Sequence, residues 1–216
     1  MDKDINQKLL GFFSKHVLQS YKRGEILIRA EEEPPGVFYM INGYVKMASI
    51  FENGSELTVN IFKQGAFFPM LWAIADSDNA YFYQAMTSTE VFKATRGDAL
   101  KFINDNPDVL YDLTRRLLVG MDGLLSTTQQ LLYGNAYKRV ASAFIVSAKR
   151  FGKSFKNKNV LIDIPLTHQD IANLAGITRE TASISIEKLQ SKGLIFRKSQ
   201  KFIVKNLTNL ELEASM

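Results

Sequence analysis

The chain has 216 residues, of which 46% are apolar, with a net charge of +5; that is enough for two small domains with real cores. It contains no cysteine and only two histidines, which excludes disulfides and thiolate metal sites and leaves no material for a His-rich metal centre, so neither metal nor cofactor is expected. No apolar run reaches the length of a membrane span and the first 20 residues are charged throughout, so a cytoplasmic protein without membrane association is expected.

The pattern predicts a helix to about Leu18, with Ile5, Leu9 and Phe12 or Phe13 on one side. From Gly24 the texture changes to short runs rich in β-branched and aromatic residues, punctuated by Asn42-Gly43, Asn53-Gly54 and Gln64-Gly65. Asn-Gly tolerates the positive φ of a tight hairpin, so Asn53-Gly54 predicts one between "KMASIFE" and "SELTVNIF". Strands this closely spaced need a barrel or a two-sheet roll to protect their edges.

From Asp98 the period is helical, and Leu110, Leu113, Leu117, Leu124 and Leu131 form a seam on one face. Gly120 sits on that seam, where its small size suits close approach of a second helix. The seam suits either a two-fold dimer contact or packing on the chain's own β-domain. Such a helix reaches about 40 Å at 1.5 Å per residue. Gly134-Asn135 reads as a joint before a further helix with Val140, Phe144, Ile145 and Ala148 inward. "GKSFKNKN" then reads as a basic loop and "VLIDI" as a strand.

Charge is distributed unevenly along the chain. Residues 134–216 hold 14 Lys and Arg against 6 Asp and Glu, a net +8, while residues 1–133 carry −3. A basic back half is suited to a polyanion. Within it, Thr167 is a good N-cap with Asp170 placed to complete a capping box. Ile171, Leu174 and Ala175 face inward, Gly176 turns, Ile177 plugs the core and Thr178 caps a second helix with Ala182, Ile186 and Leu189 inside. "LIFRK" and "KFIVK", joined through Ser199-Gln200, make a small β-wing. Helix, tight turn, helix and wing form a winged helix-turn-helix.

In such a unit the start of the second helix enters the major groove. Arg179, Glu180, Ser183 and Ile184 share its outward face. Arg179 can hold guanine or a phosphate, Glu180 can accept from cytosine, and Ser183 can bond to either a base or a phosphate. Thr167, Gln169, Thr178, Lys198 and Lys201 complete the expected DNA-binding set.

The stretch "LTHQDIANLAGITRETASISIEKLQSKGLI" resembles the DNA-binding signature of the cyclic-AMP receptor protein/FNR (Crp/Fnr) family of transcription regulators. "KRGEILIRAEEEPPGVFYMINGYVKM", "ENGSELTVNIFKQGAFF" and "TEVFKATRGDALKFI" are similar to that family's β-roll, and the seam helix to its dimerisation helix. The resemblance covers nearly the whole chain. It implies an α+β fold with three parts: an N-terminal β-roll of cyclic-nucleotide-binding-like, jelly-roll type over 1–105, a long dimerisation helix over 106–135, and a winged helix-turn-helix over 136–216. It further implies a homodimer on a near-palindromic double-stranded DNA site, with RNA polymerase as a further partner. Effector control would rotate the back domains about Gly134-Asn135.

Two departures qualify the resemblance. The family often places an Arg on the recognition helix where this chain has Ile184, which can pack on a thymine methyl but cannot donate to guanine. Its cyclic-nucleotide binders also carry a Glu for the ribose and an Arg for the phosphate. Here Pro69 and Met70 replace a Gly-Glu pair, Asn79 and Ala80 stand near the phosphate position, and no Arg occurs from Gly65 to Val91. A buried phosphate without a cation forfeits its charge-assisted hydrogen bonds, so cyclic AMP is not the expected effector. The replacing cluster of Phe67, Phe68, Met70, Trp72, Tyr81, Phe82 and Tyr83 is either a pocket for an apolar or aromatic effector or a filled core.

Three other functions compete with a sequence-specific regulator. A cupin-style enzyme lacks a metal triad or nucleophile–base pair, so no enzyme is expected. A signalling module that binds a cyclic nucleotide or another small ligand, and nucleic acid only non-specifically, lacks the Glu and Arg for the nucleotide. A binder using charge alone would fall steeply with salt without preferring any sequence.

Overall fold

The structure, a computed structural model, describes residues 3–156 and 159–215. The contacts divide the chain into two compact units, Met1–Ile50 with Thr58–Val119, and Phe51–Leu57 with Gly120–Met216. Gly134 and Asn135 lie inside the second unit.

The first unit opens with helix α1 (Lys3–Phe13). The predicted continuation of that helix to Leu18 is not made. Val17–Tyr21 is strand β1, which gains its backbone hydrogen bonds by antiparallel pairing with β8 (Thr89–Ala94). With β3 (Val37–Asn42) and β6 (Phe67–Phe68) these strands form a sheet in the order β1-β8-β3-β6. A second sheet takes β2 (Ile26–Ile28), β7 (Phe82–Ala85), β4 (Val45–Ile50) and β5 (Glu56–Phe62) in the order β2-β7-β4-β5. Gly43 makes the turn between β3 and β4 at φ +82, where a Cβ would lie 2.4 Å from the Thr89 hydroxyl, so only glycine fits.

Strand alternation separates two cores. Val37 and Tyr39 face helices, packing with Phe13 of α1, Phe67, Ala99 and Ile103 of α3 (Arg96–Asp105), and Val109 and Leu113 of α4 (Pro107–Tyr133). Phe38 and Met40 face the roll interior with Leu27, Val45, Phe68, Tyr83 and Val91. A short helix α2 (Met70–Ala75) follows β6.

Buried Asp112 of α4 accepts from Arg116 Nε at 2.5 Å, and Arg116 Nη1 donates to the Gly65 carbonyl at 3.1 Å. The guanidinium stands 6.0 Å from the Phe67 ring centre. One face of the first half of α4 is thereby fastened to the outside of the roll.

In the second unit, Asn135 caps α5 (Ala136–Phe151) by accepting from the Lys138 N–H at 3.0 Å. "GKSF", read from sequence as loop, is strand β9 (Gly152–Phe155), an edge strand beside β10 (Asn159–Ile162). Helices α6 (His168–Ala175) and α7 (Arg179–Ser191) follow, then β11 (Ile195–Lys198) and β12 (Lys201–Val204), in a sheet ordered β11-β12-β10-β9. A closing helix α8 (Leu207–Ser215), absent from the sequence reading, buries Leu210 and Ala214 and packs on α5.

Candidate nucleic-acid interface

The turn between α6 and α7 is specified locally. The Thr167 hydroxyl accepts from the Asp170 N–H at 3.1 Å while the Asp170 carboxylate accepts from the Thr167 N–H at 2.7 Å, a complete capping box. Gly176 ends α6 in the left-handed region at φ 61, which glycine reaches without strain. Thr178 then caps α7, accepting from the Thr181 N–H at 3.3 Å. Below the turn, Ile171, Ala172 and Ala175 of α6 and Ala182, Ile186 and Leu189 of α7 are buried. The expected inward residues Leu174 and Ile177 are only partly so.

With that face inward, α7 holds Arg179, Glu180 and Ile184 outward, Ile184 at 69% exposure. Ser183 is half-buried, its hydroxyl 2.8 Å from His168 Nδ1 of α6. His168 was not among the sequence candidates, and the wing adds Arg197, likewise not singled out. Arg197 is exposed, with Nε donating to the Ser199 carbonyl at 3.1 Å and its guanidinium 5.7 Å from the Phe202 ring centre. Burial, then the charges of Arg197 and Arg179, hold the His168 pKa below its usual 6.5, with Glu187 opposing weakly.

Other candidates are already occupied. Gln169 Nε2 donates to Asn173 Oδ1 at 2.7 Å, which holds its amide along α6. Lys198 Nζ lies 4.9 Å from the Phe155 ring centre. Lys201 was expected on the DNA backbone. Its ammonium instead pairs with Asp163, as does that of Lys153, and the hydrogen bonds from Lys153 and Lys201 hold the Asp163 carboxyl below its ordinary value.

The aromatic residues from Phe67 to Tyr83 do not line one common space. Successive residues of a strand point to opposite faces, so Phe67, with Met70 and Trp72, joins the helix-side core while Phe68 and Tyr83 enter the roll interior, with Tyr81 at its margin. There Phe62, Phe68 and Tyr83 stack, the last two 5.1 Å apart and 4° from parallel. At the position near the family's phosphate, the neutral Asn79 amide donates to the Arg29 carbonyl at 2.7 Å.

The seam residues divide as well. Leu113 is 5% exposed within the first unit's own core, which corrects its assignment to a dimer contact. Leu110, Leu117, Gly120 and Leu124 are exposed, as are Leu118, Met121 and Leu125, which the leucine spacing alone did not include. The side chain of Leu131 lies outside the described ones.

Residues 138–212 match the Crp-like helix-turn-helix domain, and residues 18–106 the cyclic nucleotide-binding domain. The chain belongs to the Crp/Fnr family. It is similar to the global nitrogen regulator of Nostoc sp., 24% identical over 87% of this chain and 85% of that protein. It is also 24% identical to the cAMP-activated global transcriptional regulator CRP of Haemophilus influenzae, over 91% of this chain and 88% of that one. Among solved structures, a CooA mutant from Carboxydothermus hydrogenoformans superposes with a TM-score of 0.78 at 21% identity, covering 94% and 90% of the two chains. Crp/Fnr members of this build are DNA-binding transcription regulators, and so is this chain. Among the described residues no helix is long and apolar enough to cross a membrane.

Proposed function

We propose that this Crp/Fnr regulator acts as a homodimer on a near-palindromic site, placing the start of α7 in the major groove with Ile184 against a thymine methyl. The observation carrying this reading is the exposure of Ile184 beside Arg179 and Glu180, on a helix whose start is capped by Thr178 just after the Gly176 turn. An aliphatic side chain so exposed gains by covering a methyl and offers a guanine nothing. Arg179 and Glu180 supply the polar contacts, and Arg197 reaches the backbone from the wing.

Self-association would use the stripe Leu117, Leu118, Met121, Leu124 and Leu125 of α4, where Gly120 admits a close neighbour. Two recognition helices would then meet successive major grooves about 34 Å apart. Cyclic AMP is not the effector in this reading, because the roll interior holds stacked rings and Asn79 is tied to the backbone. The chain acts in the cytoplasm and not as an enzyme, and RNA polymerase is its further partner.

In-vitro selection from a randomised duplex library with the full chain tests the reading. A two-fold symmetric site with thymine under Ile184, unchanged by added cyclic AMP, is expected. Sequence-blind binding, or a guanine kept at that position by an Ile184→Ala variant, overturns it.

A further inference from the structure

We propose that His168 is a positioning residue that sets which hydrogen-bonding role Ser183 presents to DNA: acceptor while the imidazole is neutral, donor once it is protonated. The inference rests on the reading of α7 as the recognition helix. The Ser183 hydroxyl has one hydrogen and two lone pairs, and its 2.8 Å contact with His168 Nδ1 commits one of them. In the neutral tautomer with its hydrogen on Nε2, Nδ1 offers only a lone pair and takes the serine hydrogen. Ser183 then faces the groove with lone pairs, suited to the amino groups of cytosine N4 or adenine N6. When a solvent proton binds the ring, Nδ1–H must donate, and the hydroxyl oxygen accepts from it. The serine hydrogen swings outward, suited to guanine O6 and N7 or thymine O4.

The surroundings support such a change on DNA binding. Arg179 and Glu187 of α7 and Arg197 of β11 act electrostatically on His168, and the Phe202 ring of β12 lies 6.3 Å from the imidazole. Asp170, the acid on its own helix, is occupied by the Thr167 cap. In the free chain burial, and after it the charges of Arg197 and Arg179, favour the neutral imidazole. Phosphates drawn to those arginines add negative charge beside the ring and favour its protonated form. Proton uptake is then linked to base choice at one base pair in each half-site.

The test is selection from a randomised duplex library by the full chain at about pH 8 and at about pH 5.5, the span over which histidine changes charge. His168→Asn, neutral at both values yet able to hydrogen-bond, and Ser183→Ala are run in parallel. The wild type is expected to shift preference at one base pair per half-site by about two- to tenfold toward acceptor-bearing edges at acid pH, the scale of one hydrogen bond. Both variants should select the same base at both pH values. A wild-type site that is sharp but identical at the two pH values, or a shift that persists in His168→Asn, overturns the assignment while leaving DNA recognition intact. If nothing is enriched at either pH, DNA recognition by α7 and the role of His168 are both overturned. Should His168→Asn fail to fold by circular dichroism, Ser183→Ala, which leaves the imidazole in place, decides.

Discussion

An aliphatic side chain held in water near the head of a helix, as Ile184 is, is covered only when something apolar arrives, and in the proposed reading DNA is that covering surface. Ile184→Arg should therefore change base preference and leave folding alone. The selected half-site is expected to gain a guanine, with about 1–3 kcal/mol of discrimination against other bases in competition binding. At Gly43 the outcome is reversed. Gly43→Ala puts a Cβ against Thr89 at a positive φ, so a loss of more than about 1 kcal/mol is expected by urea unfolding, with DNA contacts untouched. The capping box of Thr167 and Asp170 was legible in sequence because a cap spans three residues and its chemistry is local. The His168–Ser183 bond was not, since it joins residues fifteen apart that only the angle between α6 and α7 brings together.

The elements were legible wherever periodicity and turn chemistry agreed, as in α6, α7 and the wing. They were illegible where tertiary pairing decided. Gly152–Phe155 is polar and short, and becomes a strand only because β10 offers hydrogen bonds along its edge. Leu113 matches the spacing of a seam, yet helix rotation turns it toward Ile103 and Val109, while Met121 and Leu125, outside the leucine count, are left exposed. Two consequences belong to α4. Asp112→Ala leaves the Arg116 guanidinium beside the roll without its acid; because Arg116 is partly solvated, a loss of roughly 2 kcal/mol is expected by urea unfolding, less than for a fully buried pair. Leu124→Glu sets a charge in the proposed two-fold seam, and sedimentation equilibrium should show self-association weakened by roughly tenfold or more.

Over the whole molecule, pH reports on the second unit. The His168 pKa lies below 6.5, so the unfolded chain binds that proton first. Its contribution to stability is complete above about pH 6.5 and falls as pH drops through the lower folded value. Asp163, held down by Lys153 and Lys201, and Glu213, held down by Lys192 and the Tyr137 hydroxyl, are depressed acids. They stabilise above 3.8 and 4.5 respectively and lose that effect only as pH falls through their lower folded values. Urea midpoints of wild type and His168→Asn, corrected for a constant offset, should coincide above about pH 7, and the wild type should fall below the variant as pH drops further. The division into a β-roll and a winged helix-turn-helix was readable because each half carries its own pattern. What fills the roll was not, because a stripe of rings looks alike whether it lines a cavity or closes one.

Asp163 draws the ammonium groups of Lys153 and Lys201 to itself. A regulator searching a chromosome is slowed by every base pair to which it clings without reading it, and cations near the wing are what cling. If the wing meets DNA as proposed, keeping two of them on a leash is expected to lower the grip on arbitrary sequence and so to shorten the search. Asp163→Asn should tighten binding to an unrelated duplex at low salt and steepen its dependence on salt concentration by up to about two released counterions, with little change in which sequence is preferred.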